Sequence, residues 1–204
     1  MRSIYALLAF LTISLSAQGQ RFTGELTGGM AGTQVSGDQL SGFDKGGIMA
    51  GAGVRMKLGK RNDLGFRILY FQKGSRKPSD LENGDPSYYL LRFNYLEVPI
   101  LYRNKLYKKF FVEAGPSIGF LVGSSEQDQD GELQYRTEFN DIDFSAAVGL
   151  GYSFSPKTEF TFGYYQSLIP VRPHSGNAEY RLNQGQYNSS ITFTFTYNLI
   201  PRGE

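Results

Sequence analysis

The chain contains no cysteine, no tryptophan and a single histidine. The missing cysteine excludes a disulfide framework, a thiolate metal site and a lipid anchor on an N-terminal cysteine. One histidine cannot supply a His cluster for zinc. An excess of one charge is lacking too. Lys and Arg number 21 against 19 Asp and Glu, and the formal +2 that remains gives no nucleic-acid footprint. The sequence offers no cofactor fingerprint. Beyond the first twenty residues, no apolar run approaches the ~20 residues that a spanning helix needs. Any membrane residence of the mature chain must therefore be as strands.

What is abundant points the same way. There are 25 Gly, 16 Phe and 14 Tyr in 204 residues, enough chain for one domain. Glycine with aromatics suits short turns and aromatic-rich strands better than a helical bundle. The N-terminus, MRSIYALLAFLTISLSAQGQ, has the layout of a secretory signal peptide. Arg2 gives a positive start, Ile4 to Leu15 an apolar stretch, and Ser16 to Gly19 a small-residue exit. Residues 1–19 are read as that signal and 20–204 as one β-barrel domain.

Alternation is the dominant pattern. In SSITFTFTYNLIP, Ile191, Phe193, Phe195, Tyr197 and Leu199 alternate with Thr192, Thr194, Thr196 and Asn198. A period of two places one set on each face of a strand. Similar rows recur, and eight strands are predicted near 21–35, 44–58, 63–74, 87–103, 108–123, 138–155, 157–169 and 186–200. In YYLLRFNYLEVPILYR the apolar phase changes from Tyr89, Leu91, Phe93 and Tyr95 to Leu96, Val98 and Ile100. That predicts a bulge near Tyr95–Leu96, with Pro99 where a regular ladder has no use for it. The connections alternate between tight turns (59–62, 104–107, 155–157) and long polar loops (36–43, 75–86, 124–137, 170–185). This is the layout of outer-membrane barrels, whose short turns are periplasmic. An even strand number puts both termini at that end.

One face carries Leu, Ile, Val, Phe and Tyr. The other is mostly Gly, Ala, Ser and Thr with a few charges, a poor solvated exterior but a suitable filling for a narrow barrel. The expected fold is therefore all-β, an eight-stranded antiparallel up-and-down transmembrane β-barrel with its oily face toward lipid. A soluble lipocalin-like barrel is the rival. Glu25, Arg55, Lys57, Arg67, Lys73, Glu97, Glu113 and Asp143 fall on the inner face, where charges persist only when paired. A mixed-sign lumenal network is predicted, with Arg55 and Arg67 among Glu25, Glu97 and Glu113. It would be a structural plug; a selectivity ring or proton path is the functional alternative.

At ILYFQKGS (68–75), NYLEVPILYR (94–103) and FFVEAGPSIGFLVG (110–123) the sequence resembles the PorT-like outer-membrane β-barrel family of Bacteroidota. The likeness runs from about 21 to 200. Family members often carry glutamate where Arg67 stands, so the family's charge pairing does not carry over unchanged. The resemblance implies an eight-stranded outer-membrane barrel. It also raises an accessory role in a secretion or surface-export machinery, since the name-giving member belongs to one.

Other motifs carry less chemistry. In RPHSGNAEYRLNQG (172–185), His174, Asn177, Asn183 and Gly185 partly match the His-x-Ser-Asn and Asn-x-Gly motifs of outer-membrane lipid A deacylases. Ser175 stands one residue early and Gly176 occupies the nucleophile's place, which on a strand is a change of face. GAGVRMKLGKR (51–61) has one residue too many for a phosphate loop, and no helix follows it. EQDQDGE (126–132) gathers carboxylates without the calcium-loop pattern. Lys60, Arg61, Arg103, Lys105, Lys108, Lys109 and Lys157 make the short-turn end basic. Partners expected on these grounds are outer-membrane lipid and lipopolysaccharide, and a periplasmic or outer-membrane protein. The reading is non-enzymatic, with a His174-dependent lipid A hydrolase and a narrow channel as alternatives.

Overall fold

The computed structural model describes residues 22–38, 40, 42–133, 138–173 and 185–200. The segment read as a signal peptide lies outside them. Eight long antiparallel strands form a ring: β1 (Phe22–Ser36), β2 (Lys45–Lys57), β3 (Asn62–Lys77), β4 (Tyr89–Lys105), β5 (Phe110–Asp128), β7 (Ile142–Ser153), β8 (Thr158–Ser167) and β10 (Gly185–Asn198). Each long strand pairs with the next in chain order, and β10 pairs with β1 to close the sheet. Two short pieces, β6 (Gly131–Glu132) and β9 (Arg172–Pro173), lie at the long-loop end and pair with β5 and β10. No described helix is long and apolar enough to cross a membrane.

The stagger of the ring can be followed through paired residues. From Phe22 the register runs to Met56, Leu64, Tyr102, Ala114, Val148, Tyr164 and Ile191, and returns to β1 at Gly32, ten residues farther along. A shear of that size with eight strands requires a steep strand tilt, in the range of about 35–45°, and leaves an interior that side chains can fill. Closure pairs both edges of every long strand, as hydrocarbon surroundings demand.

Alternation sorts the side chains. Leu26, Met30, Ile48, Val54, Phe66, Ile68, Ile100, Ile118, Phe120, Val148, Leu150, Phe162, Phe193 and Phe195 are all exposed on the outer wall. Aromatic rings gather toward the short-turn end of that wall. Phe110, Tyr152 and Phe154 stack edge-on at 5.0 and 5.2 Å. Such girdles mark the level where hydrocarbon meets headgroups.

Strand β4 departs from the sequence expectation. It keeps one phase throughout: Leu91, Phe93, Tyr95, Glu97, Pro99, Leu101 and Arg103 are all buried. The register shift is present at Asn94/Tyr95, but the extra residue is Val122 on β5. The β3–β4 ladder has a gap opposite Pro99, which has no N–H to give. The inner face is also bulkier than a run of small residues, with Met49, Leu69, Phe71, Leu91, Phe93, Tyr95, Phe111 and Tyr165 among its buried members.

Candidate functional site

Among the described residues, charged side chains from many strands converge in the lumen. Near the short-turn end, six of them form a closed ring of alternating sign. Glu25 of β1 lies 2.5 Å from Arg55 of β2 and 2.6 Å from Arg67 of β3. Arg67 reaches Glu113 of β5 at 3.2 Å, and Glu113 meets Arg103 of β4 at 2.7 Å. Arg103 donates to Glu159 of β8 at 2.7 Å, and Glu159 returns to Arg55 at 3.6 Å. All six are buried. Three guanidinium groups face three carboxylates, so the ring is neutral and each charge has two opposite neighbours. That arrangement offsets the desolvation of ions this deep.

The Arg103 guanidinium also lies over the Phe111 ring, 3.5 Å from its centroid. Phe111 in turn fills the space beside Gly151, where an added Cβ would stand 2.0 Å from the ring. The glycine of β7 is thus what lets a phenylalanine seat the arginine.

Farther toward the long-loop end, Lys73 makes 2.9 Å contacts with both Glu97 and Asp143. Ser117 and Ser145 donate to Glu97, and Ser167 and Asn188 to Asp143. Lys73 also lies 5.1 Å from the centroids of Phe71 and Tyr95. Between the two charged layers sits an apolar one of Met49, Leu69, Phe71, Leu101, Ala147 and Tyr165. A void of about 10 Å³ beside Arg67, Glu113 and Tyr165 has room for about one water.

Of the residues expected to form one network, Glu25, Arg55, Arg67 and Glu113 come together and Glu97 does not. Its place along β4 is nearer the long loops, so it meets Lys73 instead. Lys57 sits exposed at the short-turn rim rather than inside. Arg103, read as a basic turn residue, is a ring member, because β4 continues to Lys105. Glu159 was missed; its alternation with Phe160 and Phe162 was the available signal. His174 and the rest of 174–184 lie outside the described residues. Among the described residues, no group of three or more His, Asp or Glu is placed to hold a metal ion. The acidic run at 126–132 does not gather either, since Glu126 turns inward and the tip is a tight β5–β6 hairpin through Gly131.

The model of the outer membrane protein beta-barrel domain matches residues 16–172. The chain belongs to that family. This outer-membrane barrel is also similar in fold to solved structures. Ail of Yersinia pestis aligns with a TM-score of 0.52 at 10% identity, over 87% of this chain and 98% of that one. The Ail structure in complex with the heparin analogue sucrose octasulfate gives 0.50 at 11%, over 88% and 99%. Neisserial surface protein A gives 0.51 at 10% identity, over 89% and 100%. A sequence search of curated proteins finds no match.

The mouth of this outer-membrane barrel at its long-loop end is built separately. Val35, Leu91, Phe93, Tyr95 and Val171 form a buried apolar cluster, with Phe139 edge-on to Phe93 at 4.7 Å. Val171, at the described start of the last long connection, packs into this cluster. Its N–H donates to the Gln186 carbonyl and its carbonyl accepts from Asn140. Arg172 then donates to both oxygens of Glu126, at 2.9 and 3.2 Å, while Tyr89 donates to the same carboxylate at 2.5 Å. Glu126→Ala leaves that buried guanidinium without its main partner. Hydrogen exchange at the Val171 amide is expected to speed up about tenfold or more, with strand amides unchanged. An unaltered Val171 rate would mean that the ion pair does not hold the segment down.

In the loop between β3 and β4, Lys77 and Ser87 hydrogen bonds hold the Asp85 carboxyl well below the usual carboxylate range. In the loop after β1, burial pushes Asp38 up, opposed by a hydrogen bond from Ser75.

Proposed function

We propose that the protein is a structural or interaction-bearing barrel of the outer membrane whose lumen is plugged by its own side chains. Its working surfaces are then the outer wall and the long loops. The observation that carries this is the stack of closures along the axis: the neutral six-membered ring, an apolar layer, the Lys73 cluster and the apolar cluster at the mouth. An ion crossing it would have to part paired charges and then pass two apolar layers, each costly. The proposal includes removal of residues 1–19 as a signal peptide, with short turns and termini on the periplasmic side and long loops outside.

The PorT-like resemblance has a physical reading within this proposal. Its motifs supply Lys73 from Gln-Lys-Gly and Tyr95, Glu97 and Pro99 from Tyr-Leu-Glu-Val-Pro, and Lys73 contacts both Glu97 and Tyr95. The motif residues thus serve one lumenal cluster, a role in barrel closure. An accessory part in a secretion or surface-export machinery would act through loops or outer wall instead. Such a part suits a barrel that has no conduit of its own.

Planar-bilayer recording tests the plug. The refolded mature barrel is expected to give no discrete conductance steps. Regular steps from heat-modifiable, folded protein would establish the narrow-channel reading in its place.

A further inference from the structure

We propose that the outer wall of β3–β4 carries a binding site for the phosphate groups of a phosphorylated glycolipid in the outer leaflet, formed by Arg76 and Arg92 and backed by the buried Lys45. The inference rests on the orientation proposed above, with the long loops outside.

The site is a hollow of about 370 Å³ whose lining includes Lys45, Gln72, Arg76, Tyr88, Arg92 and Asn94. None of its lining residues is acidic. In the lumen every arginine has a carboxylate partner; here, among the described residues, Lys45, Arg76 and Arg92 make no ion pair. Arg76 and Arg92 are exposed. Lys45 is buried as a whole, in the inward phase of β2 opposite Thr33, and donates to the Gly46 carbonyl at 3.3 Å, behind the hollow. Its Cδ passes 3.0 Å from where a Cβ on Gly74 would stand. Gly74 has φ +137°, a conformation open to glycine, and faces Arg92 across the ladder. A side chain there would strike the Leu91 carbonyl, 2.0 Å from that Cβ, before it met the lysine.

Height on the wall selects the ligand. The pair Tyr70↔Leu96 belongs to the oily face, and the steps above it are Gln72↔Asn94, Gly74↔Arg92 and Arg76↔Leu90. The change from apolar to polar is abrupt, and Gln72, Tyr70 and Asn94 form a hydrogen-bonded row at 2.9 and 2.8 Å. Arg92 lies two residues beyond Asn94, where the polar face begins, about 7 Å along the strand and about 5 Å in height at the tilt given above. The polar layer of a bilayer extends about 5–8 Å beyond its hydrocarbon. A hollow that opens sideways at this level faces headgroups and their first sugars rather than bulk water. Guanidinium pairs grip phosphate through paired N–H donors, and basic pockets at headgroup height take anionic headgroups.

The test uses the full mature barrel in phosphatidylcholine vesicles doped with bisphosphorylated lipid A, dephosphorylated lipid A or phosphatidylglycerol, with bound lipid counted by native mass spectrometry. Bisphosphorylated lipid A is expected to bind about tenfold or more tighter than the dephosphorylated form. R76Q/R92Q should remove that difference while keeping heat-modifiable migration, since both side chains are exposed. Millimolar inorganic phosphate should not displace the lipid. Equal binding of the two lipid A forms, or an unchanged preference in R76Q/R92Q, overturns the proposal. Displacement by inorganic phosphate would overturn the lipid source and leave a soluble-anion site. Equal binding of phosphatidylglycerol would reduce the hollow to general interfacial charge. Orientation is checked independently by labelling Leu81→Cys on intact cells; Leu81 is exposed in the β3–β4 loop.

Discussion

Arg103→Met is expected to lower the free energy of unfolding by about 3–5 kcal/mol, measured by urea titration of the barrel in phospholipid vesicles. The reason is the company Arg103 keeps. It donates to Glu113 at 3.1 and 2.7 Å and to Glu159 at 2.7 Å, and its guanidinium lies over the Phe111 ring. Methionine retains most of the stem and its packing, so the loss isolates the charge. Two buried carboxylates then keep one arginine neighbour each, Arg67 for Glu113 and Arg55 for Glu159. The Arg55–Glu159 contact is the longest in the ring at 3.6 Å, so Glu159 is left the worse off. Glu159→Gln in the Arg103→Met background should therefore recover part of the loss. The two substitutions should couple by about 1 kcal/mol or more, as members of one network do. A single-variant cost below about 1 kcal/mol would mean that water already solvates the ring, and the dry plug would be wrong.

That ring also shows how far sequence reasoning reaches. Alternation assigned faces well, because a period of two is a local property and the chain keeps it for a dozen residues at a time. Arg55, Arg67 and Glu113 were placed on the inner face by this count, whereas the glycine-rich first strand left the phase of Glu25 less clear. Height along the axis is a different quantity. It depends on stagger around the closed sheet, and the ten-residue shear belongs to all eight pairings together. Glu97 was therefore grouped with the wrong arginines, and Arg103, the last residue of the predicted strand, was counted with the basic short-turn end although β4 continues to Lys105. The apparent phase change in β4 had another cause. Tyr89, Leu91, Phe93 and Tyr95 are apolar because the lumen itself becomes apolar near the mouth, where Val171 closes it. Which face of a barrel is oily can thus reverse with height while the backbone keeps its phase.

Val148→Arg is expected to destabilise the barrel in phospholipid vesicles by about 2–4 kcal/mol, the cost of a basic side chain on the lipid face near the bilayer middle. Val148 is the informative position for three reasons. It is 52% exposed, so no packed core is disturbed by a longer side chain. It stands centrally in the outward row Ile142, Phe144, Ala146, Val148, Leu150 and Tyr152 of β7, with apolar neighbours on both sides. Its cross-strand partners, Ala114 and Tyr164, also face outward, so the arginine has no carboxylate within reach. On a soluble barrel the same exposed position would accept arginine within about 0.5 kcal/mol, as surface sites usually do. Leu199→Arg serves as the depth control. At the short-turn end of β10, near the aromatic girdle, it should cost about 0–1 kcal/mol, because the side chain can reach the headgroup level. A large cost at position 148 with a small one at 199 gives the depth dependence of a bilayer. Equal small costs at both would place the outer wall in water, and the barrel would lose its reason for wearing phenylalanine outside.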